Sequence, residues 1–314
     1  MTAGPMRVIA VVNMKGGVGK TSTVVSLADA LGTATDKPVL VIDVDTQASA
    51  SYSLVGDRIR DIIGQGRTVD TFLRETLLDG ASPAFSDYIA RMVSNTKARN
   101  KAANISLLAS STDLRVSERE ILRHLTNSGE TLDGVEMRIK NTLQRQLASL
   151  DGEFGYVIID CAPGISPFTA AAIGLADLVI VPTIPDFLSN LGLETFLANI
   201  GPNLPHQVAA RKPRVLFTRS QARGKKARIF SLQKKKNELI NVHKTFEDDI
   251  RARSRRASSI FSVFATPIDE SPAMPAAMGM GAVPGRTVTF QQKYPGRLGE
   301  QVVAFKDEVV EALK

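Results

Sequence analysis

Arg7-Val8-Ile9-Ala10-Val11-Val12-Asn13-Met14-Lys15-Gly16-Gly17-Val18-Gly19-Lys20-Thr21-Ser22 is the stretch that decides the reading of this chain. Arg7 to Asn13 is rich in Val and Ile and reads as a buried strand. Thr21 to Leu31 reads as a helix, with Val24, Val25, Leu27, Ala28 and Leu31 on its apolar side. The glycines between them allow a loop to wrap closely around phosphates, where side chains would collide. Amides at the helix start point at the anion, and the helix dipole adds a favourable field. In such a loop Lys20 reaches the β- and γ-phosphate oxygens, and the Thr21 hydroxyl coordinates Mg²⁺. Gly16, Gly17, Val18, Gly19, Lys20, Thr21 and Ser22 are thus the candidate nucleotide-binding residues, with ATP and Mg²⁺ as the expected cofactors. The standard pattern opens on a glycine where this chain has Val12 or Asn13, so the loop is a variant.

Working outward, Val39 to Ile42 is a second short apolar strand, ending at Asp43-Val44-Asp45. Ile105 to Leu108, Tyr156 to Ile159, Leu178 to Val181 and Val215 to Thr218 repeat the pattern. Helical stretches fall between them, at Val69 to Leu77, Val116 to Leu125 and Gly134 to Leu150. Short apolar strands alternating with helices predict an α/β fold, with a doubly wound, mostly parallel sheet covered on both faces. The polar stretch Ser94 to Asn104 reads as a mobile loop, and Ser271 to Gly285 as an irregular excursion. Glu300 to Leu313 closes the chain as a helix. No repeat or linker divides residues 1–314, so a single domain is expected, with a basic and partly irregular region at 201–285.

Asp160 follows Tyr156-Val157-Ile158-Ile159 and therefore sits at the carboxyl end of a parallel strand, where open α/β sheets place ligands. Its natural role there is to accept from a magnesium-bound water. A carboxylate left unpaired after four apolar residues would be costly to bury. Asp43 and Asp45 alternate along their strand, so only one need face the nucleotide.

The chain has 314 residues, a single cysteine (Cys161) and three histidines, which excludes an intramolecular disulfide framework and a clustered iron–sulfur or zinc site. No apolar run is long enough for a membrane span and no export signal is visible at Met1 to Arg7, so a cytoplasmic location is expected. The net charge of +7 is uneven. From Arg211 to Arg256 there are 16 Lys or Arg against 4 Asp or Glu, while the remainder carries 23 basic and 28 acidic residues. One basic segment on a neutral-to-acidic body suggests a localised surface for a polyanion, against the plainer alternative of a solvated charged face.

Four stretches together carry a family resemblance: Lys15 to Ser22, Asp43-Val44-Asp45-Thr46-Gln47-Ala48-Ser49, Leu107 to Arg119 and Asp160-Cys161-Ala162-Pro163-Gly164. The sequence resembles the deviant Walker A P-loop ATPases of the ParA/MinD group, most closely the ParA-type partition ATPases, over roughly Arg7 to Leu197. The resemblance implies that Lys15 is a signature lysine crossing a dimer interface to touch the partner's phosphate. It makes Asp45 the residue that positions hydrolytic water, so Lys15, Lys20 and Asp45 are the candidate catalytic residues. Thr21, Asp160 and Asp43 are the candidate metal residues, with support of the local turn as the alternative for Asp43. Thr46 stands where the family commonly has proline, and Ala162 and Gly164 alter the usual Pro-Pro-Ser surroundings.

The same resemblance implies a slow, partner-stimulated ATPase that forms a homodimer with Mg-ATP, binds non-specific DNA and works with a ParB-like adaptor. Its location would then be nucleoid-associated. The candidate DNA contacts are Arg223, Lys225, Lys226, Arg228, Lys234, Lys235 and Lys236, then Arg251, Arg253, Arg255 and Arg256. Cations without dense aromatics suit phosphate contacts better than base stacking. A MinD-like membrane switch is the main alternative, but the terminal segment carries Glu300, Asp307, Glu308 and Glu311, which disfavour an anionic bilayer. No stable membrane association is expected. A lone cysteine disfavours the nitrogenase-reductase relatives, and Tyr294 as the only late tyrosine disfavours the autokinases. A metabolic P-loop enzyme is the remaining alternative.

Overall fold

The computed structural model describes residues 5–35, 37–98, 101–201, 204–220, 230–280 and 287–314, with the backbone alone for 230–240. In chain order the first half runs β1 (Arg7–Val11), α1 (Lys20–Ala34), β2 (Val39–Val44), α2 (Ser49–Val55), α3 (Ile59–Gly64), α4 (Val69–Leu77), β3 (Thr96–Ala98), β4 (Lys101–Ala102), β5 (Ile105–Leu108), α5 (Leu114–Asn127) and α6 (Leu132–Ser149). It continues with β6 (Tyr156–Cys161), α7 (Pro167–Leu175), β7 (Leu178–Thr183), α8 (Phe187–Ile200), α9 (His206–Arg211), β8 (Arg214–Ser220) and α10 (Phe230–Ser254). The last elements are β9 (Ser262–Val263), β10 (Ile268–Asp269), α11 (Ala273–Met280), β11 (Val288–Thr289), α12 (Phe290–Lys293) and α13 (Arg297–Ala312).

The main sheet has the order β10-β8-β7-β1-β6-β2-β5, with β9 added on β8, and every pairing in it is parallel. Alternation along β1 feeds two cores. Val8, Ala10 and Val12 pack to one face with α4 to α8, while Ile9 and Val11 pack to the other with α1 and α13. Burial on both faces is why the strands read as continuous apolar runs and not as alternating ones. The first strand lies at the centre of the sheet, so its carboxyl end opens where neighbouring connections leave in opposite directions, the usual ligand crevice of this architecture.

Two stretches depart from expectation. Ser94 to Asn104, read as a mobile loop, holds β3 and β4, which pair antiparallel, and β11 adds to β3 from almost 200 residues away. The anchor is buried: Lys293 Nζ donates to Thr96 Oγ1 at 3.3 Å and pairs with Asp29 on α1 at 2.7 Å. No local sequence signal announces such a partner. Ser271 to Gly285, read as irregular, contains helix α11, whose proline lies in the first turn, where its missing N–H costs nothing. The terminal helix begins at Arg297, three residues before the expected Glu300. Its buried face, Leu298, Val302, Phe305 and Val309, packs on the sheet side that carries α1. Among the described residues no helix is long and apolar enough to cross a membrane.

Candidate active site

The loop between β1 and α1 takes its shape from two glycines in the left-handed region, Gly17 at φ 74° and Gly19 at φ 89°. At Gly19 a Cβ would also stand 3.5 Å from Thr218. Thr218 fastens the loop by donating from Oγ1 to the Val18 carbonyl at 2.6 Å. Val18 itself is buried, so it serves through its backbone. Asn13 pins the loop's start: its Nδ2 donates to the Pro182 carbonyl at 2.7 Å, and its Oδ1 accepts from Lys15 N at 3.0 Å. Lys20, 5% exposed, donates from Nζ to the Lys15 carbonyl at 3.1 Å, across the mouth of the loop. Burial lowers the Lys20 pKa, and the charges of Asp160 and Asp45 oppose that shift.

Asp160 and Asp43 are direct register partners on β6 and β2, and both are fully buried. Their situations differ. Asp160 Oδ2 accepts from Thr21 Oγ1 at 2.8 Å, while its Oδ1 has no partner among the described residues. Burial, then the neighbouring Asp43, pushes its pKa well above the ordinary carboxylate range. A buried carboxylate oxygen without a donor, beside a threonine hydroxyl at the foot of a phosphate loop, fits a Mg²⁺-bound water. Among the described residues no group of three or more His, Cys, Asp or Glu forms a metal cage.

Asp43 is spent on structure. Its Oδ1 accepts from Asp45 N at 3.0 Å, and its Oδ2 accepts from Ser51 N at 2.8 Å and Ser51 Oγ at 2.7 Å. Burial raises its pKa to about 6 despite those bonds. Asp43, expected among the metal residues with support of the turn as its alternative, has both of its carboxylate oxygens engaged by that turn. The turn aims Asp45, which borders the cleft and accepts from Gln47 N at 2.9 Å. Ser110, from the Leu107–Arg119 stretch, holds the same turn by donating from Oγ to the Asp45 carbonyl at 2.8 Å. Ala48 completes it at φ 50°, a strained position for a residue with a Cβ.

These groups line a cleft of about 1140 Å³ that contains Gly16, Gly17, Gly19, Lys20, Thr21, Ser22 and Asp45. Its far wall was not foreseen from sequence. Thr218, Arg219, Ile268 to Pro272, Met274, Pro275 and Met278 form it. Met274 and Met278 are four apart, one face of a helix, and that spacing is the signal that could have found them. The wall sets the apolar side chains of Ile268, Pro272, Met274, Pro275 and Met278 beside the polar Thr218, Arg219, Asp269, Glu270 and Ser271. Arg219, at φ 51°, reaches Glu270 at 3.3 Å at the rim.

Lys15 lies beside the cleft with its side chain turned onto α8, where Nζ donates to Ser189 Oγ at 2.9 Å. The basic segment is divided. Arg223, Lys225, Lys226 and Arg228 lie outside the described residues, and Lys234, Lys235 and Lys236 fall on α10 where the backbone alone is described. Arg251 and Arg253, expected as DNA contacts, are both engaged within the fold. Arg251 pairs with Glu247, donates to the Phe264 carbonyl and stacks 5.1 Å over Phe217. Arg253 is held by Asn190, Glu194 and Asp249. Both guanidinium groups are committed to the fold. Arg255 and Arg256 are exposed and enter no ion pair among the described residues.

The family profile described as AAA domain matches residues 6–207. The chromosome partitioning protein ParA of Caulobacter vibrioides is 30% identical over 200 residues, 64% of this chain and 64% of that protein. The alignment thus spans slightly less than two thirds of the curated relative. Among solved structures, the apo McdA protein of Cyanothece is 21% identical with TM-score 0.62, covering 98% of this chain and 100% of that one. A Mycobacterium smegmatis protein, described as cobyrinic acid a,c-diamide synthase and solved with an ATP analogue and magnesium, is 25% identical with TM-score 0.63, covering 98% and 95%. A solved neighbour of this fold therefore holds an ATP analogue and magnesium. The chain belongs to the AAA-domain family, within its ParA-type P-loop ATPases.

Proposed function

We propose that residues 1–314 form one ATPase domain that dimerises with Mg-ATP, binds DNA without sequence preference and is reset by hydrolysis, in the service of DNA partition. The observation that carries this reading is the pair of lysines on one loop. Lys20 lies across the phosphate cradle, while Lys15 stands outside it, and a loop whose own lysine is in place has no local use for another. A lysine donated to a second subunit's phosphate would offset charge on the transferred phosphoryl group, as an arginine finger does. Asp45 would orient the attacking water, and Thr21 with Asp160 would hold Mg²⁺, whose part is to neutralise the phosphate oxygens. An adaptor that stimulates turnover belongs to the same proposal.

ParA's printed description as a chromosome partitioning protein supports the partition reading. The burial of the α13 apolar face against the α1 side supports it over a membrane switch, which would need that face free. The test is light scattering on Asp45→Ala with saturating Mg-ATP. The proposal expects a dimer at micromolar concentration, because binding survives while hydrolysis is blocked. A strictly monomeric protein would remove the dimer from the account.

A further inference from the structure

The resting place of Lys15 has its own construction. Nζ donates to Ser189 Oγ at 2.9 Å and lies 3.4 Å from Asp186 Oδ1. Both acceptors belong to the amino end of α8. Asp186 is the N-cap of that helix, where its Oδ1 accepts from Ser189 N at 2.7 Å. A Cβ at Gly192 would sit 3.9 Å from Lys15 Cβ, so the first turns of α8 run beside the lysine stem. The backbone below is fixed by Asn13, which ties Lys15 N to the end of β7.

A helix amino end carries positive partial charge and repels an ammonium group. The Asp186 carboxylate and the Ser189 hydroxyl reverse that preference. Partial burial works against ionisation of Asp186, yet the Ser189 bonds and the Lys15 charge carry its carboxyl below the ordinary range. Lys15 and Asp186 each keep about a third of their side chains exposed, so the contact is reversible.

We propose that Asp186 and Ser189 are positioning residues that hold Lys15 on its own subunit until a partner-bound triphosphate draws it away. The inference rests on the reading of Lys15 as a lysine acting across a dimer. Holding it in cis keeps the ammonium from sampling its own phosphate loop and makes release a step that only the ATP-bound dimer rewards. A pair about a third exposed shifts an equilibrium by roughly two- to fivefold. Two such contacts are released per dimer, so losing both lowers the dimerisation midpoint roughly tenfold.

Asp186→Asn separates the hold from the fold, because asparagine caps a helix as well as aspartate does. Ser189→Ala removes the second acceptor independently. The nucleotide-free proteins are treated with an amine-acetylating N-hydroxysuccinimide ester, and Lys15 modification is followed by peptide mass spectrometry, with exposed Lys244 as the internal reference. Lys15 in Asp186→Asn is expected to react about two- to fivefold faster than in the wild type, with Ser189→Ala in between. Sedimentation with a non-hydrolysable ATP analogue then reads the dimerisation midpoint, expected at lower concentration in both variants. Equal Lys15 reactivity overturns the hold. Faster reactivity with an unchanged midpoint overturns the competition. Faster reactivity with no dimer in any protein supports the hold and removes the dimer reading on which its purpose rests.

Discussion

Arg253 Nη2 donates to Asn190 Oδ1 at 2.7 Å, joining α10 to the turn of α8 that follows Ser189. The same guanidinium pairs with Glu194, and Phe246 meets Phe187 with ring centroids 6.4 Å apart. Helix α8 is therefore fastened to the basic helix along its first two turns and to Lys15 at its start. A cation placed in this way is part of the packing between elements.

Replacing Arg253 or Arg251 by alanine is accordingly expected to cost stability, about 1–3 kcal/mol each, from lost charge-assisted bonds and lost stem packing. Thermal unfolding measures that loss. The dependence of DNA affinity on salt should keep its wild-type slope in both variants. A reduced slope with unchanged stability would return these two arginines to the DNA-contacting set.

Asp160 and Asp43 predict a trade between stability and function. Burial raises the pKa of both carboxylates, Asp43 to about 6, and the Asp43 charge beside it in register raises Asp160 further. A folded-state pKa above the unfolded value means the folded protein binds protons the unfolded chain releases, so this stability is present at low pH and lost as pH rises through the folded pKa. Asp160→Asn keeps an acceptor for Thr21 and removes one charge. It should stabilise the nucleotide-free, magnesium-free protein at pH 7.5 by about 1–3 kcal/mol, with a smaller gain at pH 5. The variant should also lose the thermal stabilisation that Mg-ATP gives the wild type. Calorimetry at both pH values checks the sign, and a destabilised variant at pH 7.5 would contradict it.

The phosphate end of the cleft was legible in the sequence because its chemistry sits on one contiguous run, Gly16 to Ser22, and on carboxylates that interrupt apolar strands. The other end was not, because Thr218–Arg219, Ile268 to Pro272 and Met274 to Met278 meet only in the fold. Ser271 to Gly285 reads as irregular because of residues such as Pro275 and Gly279, although one lies in the first turn of α11 and the other near its end. The short strand β3 was missed for a related reason: its partner β11 and its anchor Lys293 lie far along the chain. Composition located the basic segment but could not separate Arg251 and Arg253 from Arg255 and Arg256, since neighbouring carboxylates and carbonyls decide which cations are spent.

The two lysines of the loop should fail differently. Lys20→Ala removes the group that crosses the phosphate cradle and should weaken ATP binding at least tenfold, roughly the worth of one charged bond. Lys15→Ala leaves the cradle intact and should bind ATP within about threefold of the wild type while losing most hydrolysis. Equilibrium binding of a fluorescent ATP analogue together with phosphate release separates the two. Equal loss of binding in both variants would place Lys15 in its own subunit's site.

On the proposed function, ATP makes this protein a sequence-independent DNA binder. Its most direct test is binding to unrelated DNA duplexes and to anionic liposomes, each with ATP, ADP or no nucleotide, across a salt series. DNA retention is expected with ATP, indifferent to sequence and falling steeply with salt as counterions are released. Arg255→Ala with Arg256→Ala should flatten the salt dependence by roughly 2–4 in log–log slope for a dimer, without loss of ATP binding. Liposome binding without DNA retention, or no ATP-dependent binding to either surface, would contradict it.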